Sequence, residues 1–278
     1  MTVSIVPYMG GKTKVAPWIV EHIPTHTNYV EPFGGSASVL LNKPRSQIEV
    51  FNDADGDVVN FFDVLRDQPD ALAEYCRDIP FAEEIHNRWA DDWFGGDRPD
   101  DDLKRAAVWM FLRYSSFNGK TGTKSGFKRE PIVEARTGQV ADTWKQAPRR
   151  IRETADRLQG VSIVNDDYGA VIDRYDDPNT VFYCDPPYVD KEHYYTEGVD
   201  HDTLADTLDD AAGDVILSYT DIPAGRYDDW TVISREVNHN AGGNVKTASE
   251  KLICNFDPSS RDRFVTENQT TLGDHTKP

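Results

Sequence analysis

The stretch "NTVFYCDPPYVD" runs from Asn179 to Asp190. An apolar run, Val181 to Cys184, halts on Asp185-Pro186-Pro187-Tyr188. The run reads as a buried strand. Pro186 restricts Asp185 to extended backbone, and Pro187 fixes its own φ near about −65° and has no N–H. The Pro186 carbonyl is therefore presented rigidly beside the Asp185 carboxylate. Two rigid acceptors suit an amino group with two hydrogens, and Tyr188 adds a flat face for a planar ring. The exocyclic amine of a nucleobase fits this description. Its lone pair is delocalised into the ring, and two accepted hydrogen bonds draw the nitrogen toward tetrahedral geometry and free that pair. Positioning and electrostatics suffice, without a base of shifted pKa. The same tetrapeptide also makes a rigid loop start, and taken alone it fits both readings equally.

Working outward, strands and helices alternate. "NYVEPF" reads as a strand ending at Phe33, and "GGSASVLLN" as a tight turn opening a helix. "IEVFND" is a second strand, closed by Asn52-Asp53. From Gly56 to about Gln159 apolar residues recur every three to four positions, the helical spacing. Alternation resumes with "VSIV", "AVIDRY", "TVFYC", the helix "HDTLADTLDDAA", then "VILSY", "TVISREV" and "KLICNF". This pattern predicts an α/β, doubly wound sheet over residues 1–55 and 160–278, split by a mostly helical insertion over 56–159.

In such sheets ligands lie beyond the carboxyl ends of the strands. Four predicted ends carry polar or glycine-rich punctuation: Glu31 to Gly35, Asn52-Asp53, Asp166-Asp167-Tyr168, and Asp185 to Tyr188. The Gly34-Gly35 turn lets backbone approach a ligand, but it is not the dinucleotide fingerprint GxGxxG. Asp53, at the next strand end, is placed to accept from a ribose diol. An ordinary strand–helix turn explains the pair as well.

The 278 residues are 38% hydrophobic and carry a net charge of −18. No apolar run approaches the ~20 residues of a membrane span. No charged-then-apolar leader is seen at the N-terminus, so the expected location is cytoplasmic. Cys76, Cys184 and Cys254 are too dispersed for a disulfide framework or a zinc knuckle, and no metal is expected. The excess of Asp over Lys points to a source living in concentrated salt, with a merely acidic mesophile as the alternative. Residues 103–152 reverse the balance: twelve basic residues stand against three acids. A phosphate-facing surface accounts for such an island better than chance clustering. Within it, "FNGKTGTKSGFKRE" reads as an exposed loop or hairpin.

The Asp-Pro-Pro-Tyr element after an apolar strand resembles the catalytic motif of S-adenosylmethionine-dependent amino-methyltransferases. "YMGGKTKVAPWI", "YVEPFGGSASVLLN", "FNDAD" and "FLRYSSFNG" resemble, in the same order, segments of the Dam-like DNA adenine-N6 methyltransferases. "DDYGAVI", "VILSYTD" and "EKLICNF" complete the order.

The resemblance implies a Rossmann-like methyltransferase sheet, S-adenosylmethionine as cofactor, and double-stranded DNA as partner. It assigns Tyr8, Lys12, Phe33, Gly34, Gly35, Asp53, Asp167 and Asp185 to the cofactor. It assigns Asp185, Pro186 and Tyr188 to catalysis on a flipped adenine. Residues 56–159 become the target-recognition domain, with Arg113, Asn118, Lys120, Lys124, Lys128 and Arg129 as DNA contacts. A monomer is expected, with a restriction endonuclease as a further partner. The alternatives are an N4-cytosine or other amino-group methyltransferase, and a silent DNA-binding regulator. One departure is Ala37, where many relatives carry glycine.

His193 reads as a loop residue, His201 as a helix start, and Tyr194 and Tyr195 as substrate contacts or packing aromatics. Trp109, Phe111 and Leu112 read as core, and Cys184 as a small buried apolar residue.

Overall fold

The computed structural model describes residues 2–8, 10–117, 123–129, 139–188, 198–241 and 244–264. Its strands are β1 (Asn28–Glu31), β2 (Ile48–Asn52), β3 (Val161–Val164), β4 (Thr180–Cys184), β5 (Asp214–Tyr219), β6 (Thr231–Ala241) and β7 (Asn244–Cys254). They form one seven-stranded sheet in the order β3-β2-β1-β4-β5-β7-β6. The first five run parallel. β7 is antiparallel to both β5 and β6. This is the doubly wound, Rossmann-like sheet that the sequence pattern predicts, with an antiparallel pair at one edge.

Strand side chains alternate between two faces, and each face has its own core. Tyr29, Phe51, Tyr183 and Ile216 face one cluster; Val30, Val50, Phe182, Cys184, Val215 and Leu217 face the other. The first is covered by helices that follow β2: α2 (Gly56–Asp67), α3 (Pro69–Arg77), α4 (Glu83–Phe94), α5 (Asp102–Ser115), α6 (Gln139–Lys145) and α7 (Ala147–Leu158), with the earlier α1 (Ala16–Val20). The second is covered by α8 (Tyr168–Tyr175) and α9 (His201–Asp209). The helical segment shares its core with the sheet: Trp109 of α5 stacks at 4.7 Å on Phe61 of α2, within the same cluster as Phe51 of β2. Phe111 and Leu112 are buried there too, and Cys184 lies in the opposite cluster.

The aspartate excess has local uses. Asp55, Asp101, Asp167 and Asp200 cap α2, α5, α8 and α9, each accepting a backbone N–H from the first turn. Such caps contribute about 1 kcal/mol apiece.

One expected element differs. The segment after Gly34 forms successive turns and no continuous helix. The reason is backbone: Gly35 at φ 52° and Ala37 at φ 53° are left-handed and break the repeat. Ala37 fits at the glycine position by adopting glycine's conformation, with its methyl fully buried.

Candidate active site

Chain order reverses between β1 and β4, which pair from Asn28↔Thr180 to Val30↔Phe182. Ligand crevices form at such switch points, beyond the carboxyl ends. A cavity lies there. Tyr8, Lys12, Phe33, Gly34, Gly35, Asp53, Asp167 and Asp185 all line it, so the residues expected at the cofactor come together. Glu31 and Tyr168, which belong to two of the expected strand ends, also line it, as does Tyr183; the sequence assigns a role to none of the three.

Buried Asn52 ties the strand ends together. Its side-chain amide donates to the Pro32 and Asp166 carbonyls at 2.8 and 3.0 Å, and its oxygen accepts from Asp166 N at 3.0 Å. Gly34 N donates to Asn52 O at 2.7 Å. A Cβ on Gly34 would lie 2.2 Å from the Phe51 ring, so only glycine fits. Asp53 braces the turn, accepting from Gly35 N at 2.8 Å and Asp55 N at 2.9 Å. Burial nevertheless raises its pKa to about 6, the two amides opposing. Phe33 stacks on Tyr168 with centroids 5.0 Å apart, beside Asp167.

Glu31 takes both its hydrogen bonds on one oxygen, from Tyr29 Oη and Leu40 N, each at 2.7 Å. Burial lifts its pKa to about 7. Tyr183 also lines the cavity; its hydroxyl is fully buried, with Ser218 as its neighbour.

Lys12 joins the cavity to the Asp-Pro-Pro-Tyr turn. Only 5% exposed, its Nζ lies 2.8 Å from Asp185 Oδ1 and 3.2 Å from Glu250 Oε1, and it donates to Tyr188 Oη. Burial disfavours the ammonium, but Asp185, Tyr188, Tyr183 and Glu250 together hold its pKa well above the usual lysine value. Burial raises Asp185 to about 6 despite Lys12, which leaves it ionised at neutral pH. Pro186 and Pro187 are buried, and Tyr188 packs tilted against Tyr219 at 5.7 Å. Glu250, on β7, went unnoticed in the sequence; its only signal is an acid opening the apolar run Leu252 to Cys254.

The expected DNA contacts divide. Arg113 is 2% exposed, its guanidinium 5.0 Å over the Trp109 ring, which puts it in the core and not on a phosphate-facing surface. The helical spacing of α5 turns it inward along with Trp109 and Met110. Asn118 and Lys120 lie outside the described residues, as do His193, Tyr194 and Tyr195. Lys124 and Arg129 are exposed, and Lys128 is half-buried. Lys124 pairs with Asp91 and Arg129 with Glu83, so carboxylates of α4 partly offset the island's charge. The loop closes through the Ser116↔Phe127 bridge. Buried His86 anchors it, bonding Ser115 Oγ at 2.8 Å and Ser125 O at 3.0 Å. His201 begins α9. No group of three or more His, Cys, Asp or Glu side chains with metal-holding geometry occurs among the described residues. No described helix is long and apolar enough to cross a membrane.

A mixed seven-stranded sheet with a carboxylate-rich cavity at its switch point and a rigid Asp-Pro-Pro-Tyr turn at its rim defines a methyltransferase architecture. Residues 8–226 match the family described as D12 class N6 adenine-specific DNA methyltransferase, and the chain belongs to that family. It is 25% identical over 200 residues to the type II methyltransferase M.MjaIII of Methanocaldococcus jannaschii, covering 65% of this chain and 67% of that protein. It is 25% identical over 189 residues to the DNA adenine methylase of Vibrio cholerae, covering 66% and 65%. The DNA N-6-adenine-methyltransferase of Escherichia phage P1 is 28% identical over 193 residues, 66% of this chain but 24% of the phage protein. The chain thus spans about two thirds of its cellular relatives and a quarter of the phage one.

Proposed function

We propose that this protein methylates N6 of adenine in double-stranded DNA, with S-adenosylmethionine as methyl donor. The observation that carries the reading is the rigid Asp185–Tyr188 turn standing at the rim of the switch-point cavity, its carboxylate ionised against Lys12.

The cavity's chemistry fits that donor. Glu31, Asp53, Asp55, Asp167 and Asp185 line it against one lysine, which suits a cationic ligand. Tyr183, buried beside it, adds a phenol ring to the wall. Asp53 is positioned for ribose hydroxyls, the Phe33–Tyr168 step and Asp167 for the adenine end, and the Gly34-Gly35 turn with Tyr8 for the amino-acid end. S-adenosylmethionine, when bound, supplies an electrophilic methyl group on a sulfonium.

The chain's own residues prepare the amine. The Asp185 carboxylate and the Pro186 carbonyl accept its two hydrogens, and Tyr188 lies under the base. Extruding the base costs a few kcal/mol, and stacking on an aromatic face offsets about 1–3 kcal/mol of it. Residues 56–159 serve as the target-recognition domain, with Lys124, Lys128 and Arg129 on the DNA side. A monomer in the cytoplasm, a cognate endonuclease and a salt-adapted source complete the proposal. Purified protein given duplex DNA and tritiated cofactor should incorporate label into the DNA, and Asp185→Ala should do so about 10²–10³ times more slowly. Absence of label with the wild-type chain overturns the reading.

A further inference from the structure

Glu250 is a buried carboxylate with no part in the chemistry described so far. Lys251 and Leu252 of β7 pair with Tyr219 and Ser218 of β5, so Glu250 falls at the catalytic edge of the sheet, one residue past the end of β5. It is 8% exposed. A single oxygen, Oε1, collects three donors: Ser218 Oγ at 2.9 Å, Tyr188 Oη at 2.9 Å and Lys12 Nζ at 3.2 Å. A tyrosine hydroxyl has one proton. Tyr188 gives its proton to Glu250, so it receives Lys12 on a lone pair.

The hydrogen inventory of Lys12 then matters. An ammonium has three N–H groups. Four acceptors surround this one: Asp185 Oδ1, Glu250 Oε1, Tyr188 Oη and the Gly10 carbonyl at 3.3 Å. Asp185 can therefore give up Lys12 without leaving a buried N–H unsatisfied. The charge can be given up as well, because Glu250 remains as the counter-ion. Without Glu250, Asp185 would be the only carboxylate paired with the ammonium. An incoming neutral amine would then have to displace a charge-assisted hydrogen bond, roughly twice as strong as a neutral one.

We infer that Glu250 is a positioning residue: it takes over Lys12 and fixes the Tyr188 ring, so that the Asp185 carboxylate is released to the target amine. This rests on the methyltransferase reading above. The amine stays on Asp185 and Pro186; Glu250 acts only through Lys12 and Tyr188.

The test is single-turnover methyl transfer at saturating cofactor and DNA, with cofactor affinity from calorimetry and a melting curve for each variant. Wild-type transfer, measured first, tests the methyltransferase reading by itself. In an enzyme that transfers, Glu250→Gln keeps shape and acceptor oxygen but loses the charge. It should slow transfer at least tenfold, with cofactor affinity changed less than threefold and the melting curve retained. Lys12→Met should cost less in the Glu250→Gln background than in the wild type, because there Lys12 holds Asp185 back. A wild-type rate in Glu250→Gln overturns the inference. So does a rate loss matched by an equal loss of cofactor affinity, or a Lys12→Met effect equally large in both backgrounds.

Discussion

The ammonium of Lys12, from the glycine-rich segment ahead of the first strand, stands 2.8 Å from the carboxylate of Asp185 at the end of β4. This ion pair joins the wall of the cavity to the turn proposed to hold the amine. Asp185→Ala removes one of two rigid acceptors and leaves Lys12 to Glu250. Loss of a comparable charge-stabilising group costs about 10²–10³ in rate. The single-turnover constant of the purified variant should fall by that order, and near wild-type turnover would take Asp185 out of the chemistry.

Asp185 also sets a pH dependence. Burial raises its pKa to about 6, Lys12 opposing, and protonation removes the negative charge and turns one acceptor oxygen into a donor. The transfer rate should therefore fall below about pH 6, by roughly tenfold per unit at the limit. Stability has the opposite sign. The folded pKa lies above the unfolded one, so between about pH 4 and 6 the folded state binds more protons, and the stability owed to this group declines as pH rises. The difference in unfolding free energy between wild type and Asp185→Asn, followed across that window, isolates the effect. A flat rate profile from pH 5 to 8 would contradict the assignment.

Asp53 should matter to the cofactor far more than to DNA. It braces Gly35 N and faces the cavity. Asp53→Ala removes charge-assisted bonds of about 1.5–3 kcal/mol each. Separate calorimetric titrations with S-adenosylmethionine and with duplex DNA should show the loss in the first only. Equal losses would make Asp53 a purely structural brace.

Gly34→Ala should damage the fold and the cavity together. The new Cβ would sit 2.2 Å from the Phe51 ring, which is itself fully buried. Overpacking of this kind costs about 1–3 kcal/mol, a melting-temperature drop of several degrees. An unchanged melting curve would mean that Phe51 yields without cost.

The basic loop offers a test with two directions. Replacing Lys124, Lys128 and Arg129 together by Ala should weaken DNA binding and flatten its salt slope, with cofactor affinity unchanged. Because Asp91 and Glu83 pair with Lys124 and Arg129, Asp91→Ala with Glu83→Ala should strengthen binding. Titrations over a range of salt concentrations check both. DNA affinity that ignores all five changes would locate the DNA surface elsewhere.

How far the sequence could be read follows from how local each signal is. Strand ends are marked by neighbouring residues, so Glu31 to Gly35, Asp53, Asp167 and Asp185 were all visible, and the parallel sheet aligns them on one edge. Glu250 was not, because its role depends on the pairing of β7 with β5, and nothing near it in the chain reports that register. Arg113 misled for a related reason: it was counted with the basic island, but the face of α5 on which it lies is settled by packing around Trp109. The turn after Gly34 passed for a helix start because the apolar spacing is helical, while the left-handed φ of Ala37 has no compositional signature. The charge island is real in sequence, but the acids that pair with it, Asp57, Asp70, Glu83, Asp91 and Glu153, all lie outside residues 103–152 and meet it only in the fold.

The most direct measurement is nucleoside analysis of unmethylated duplex DNA after incubation with the purified protein and S-adenosylmethionine. The expected product is N6-methyl-2′-deoxyadenosine, formed about 10²–10³ times more slowly with Asp185→Ala. N4-methylcytosine, or unmodified nucleosides from an enzyme shown to bind both ligands, would contradict it.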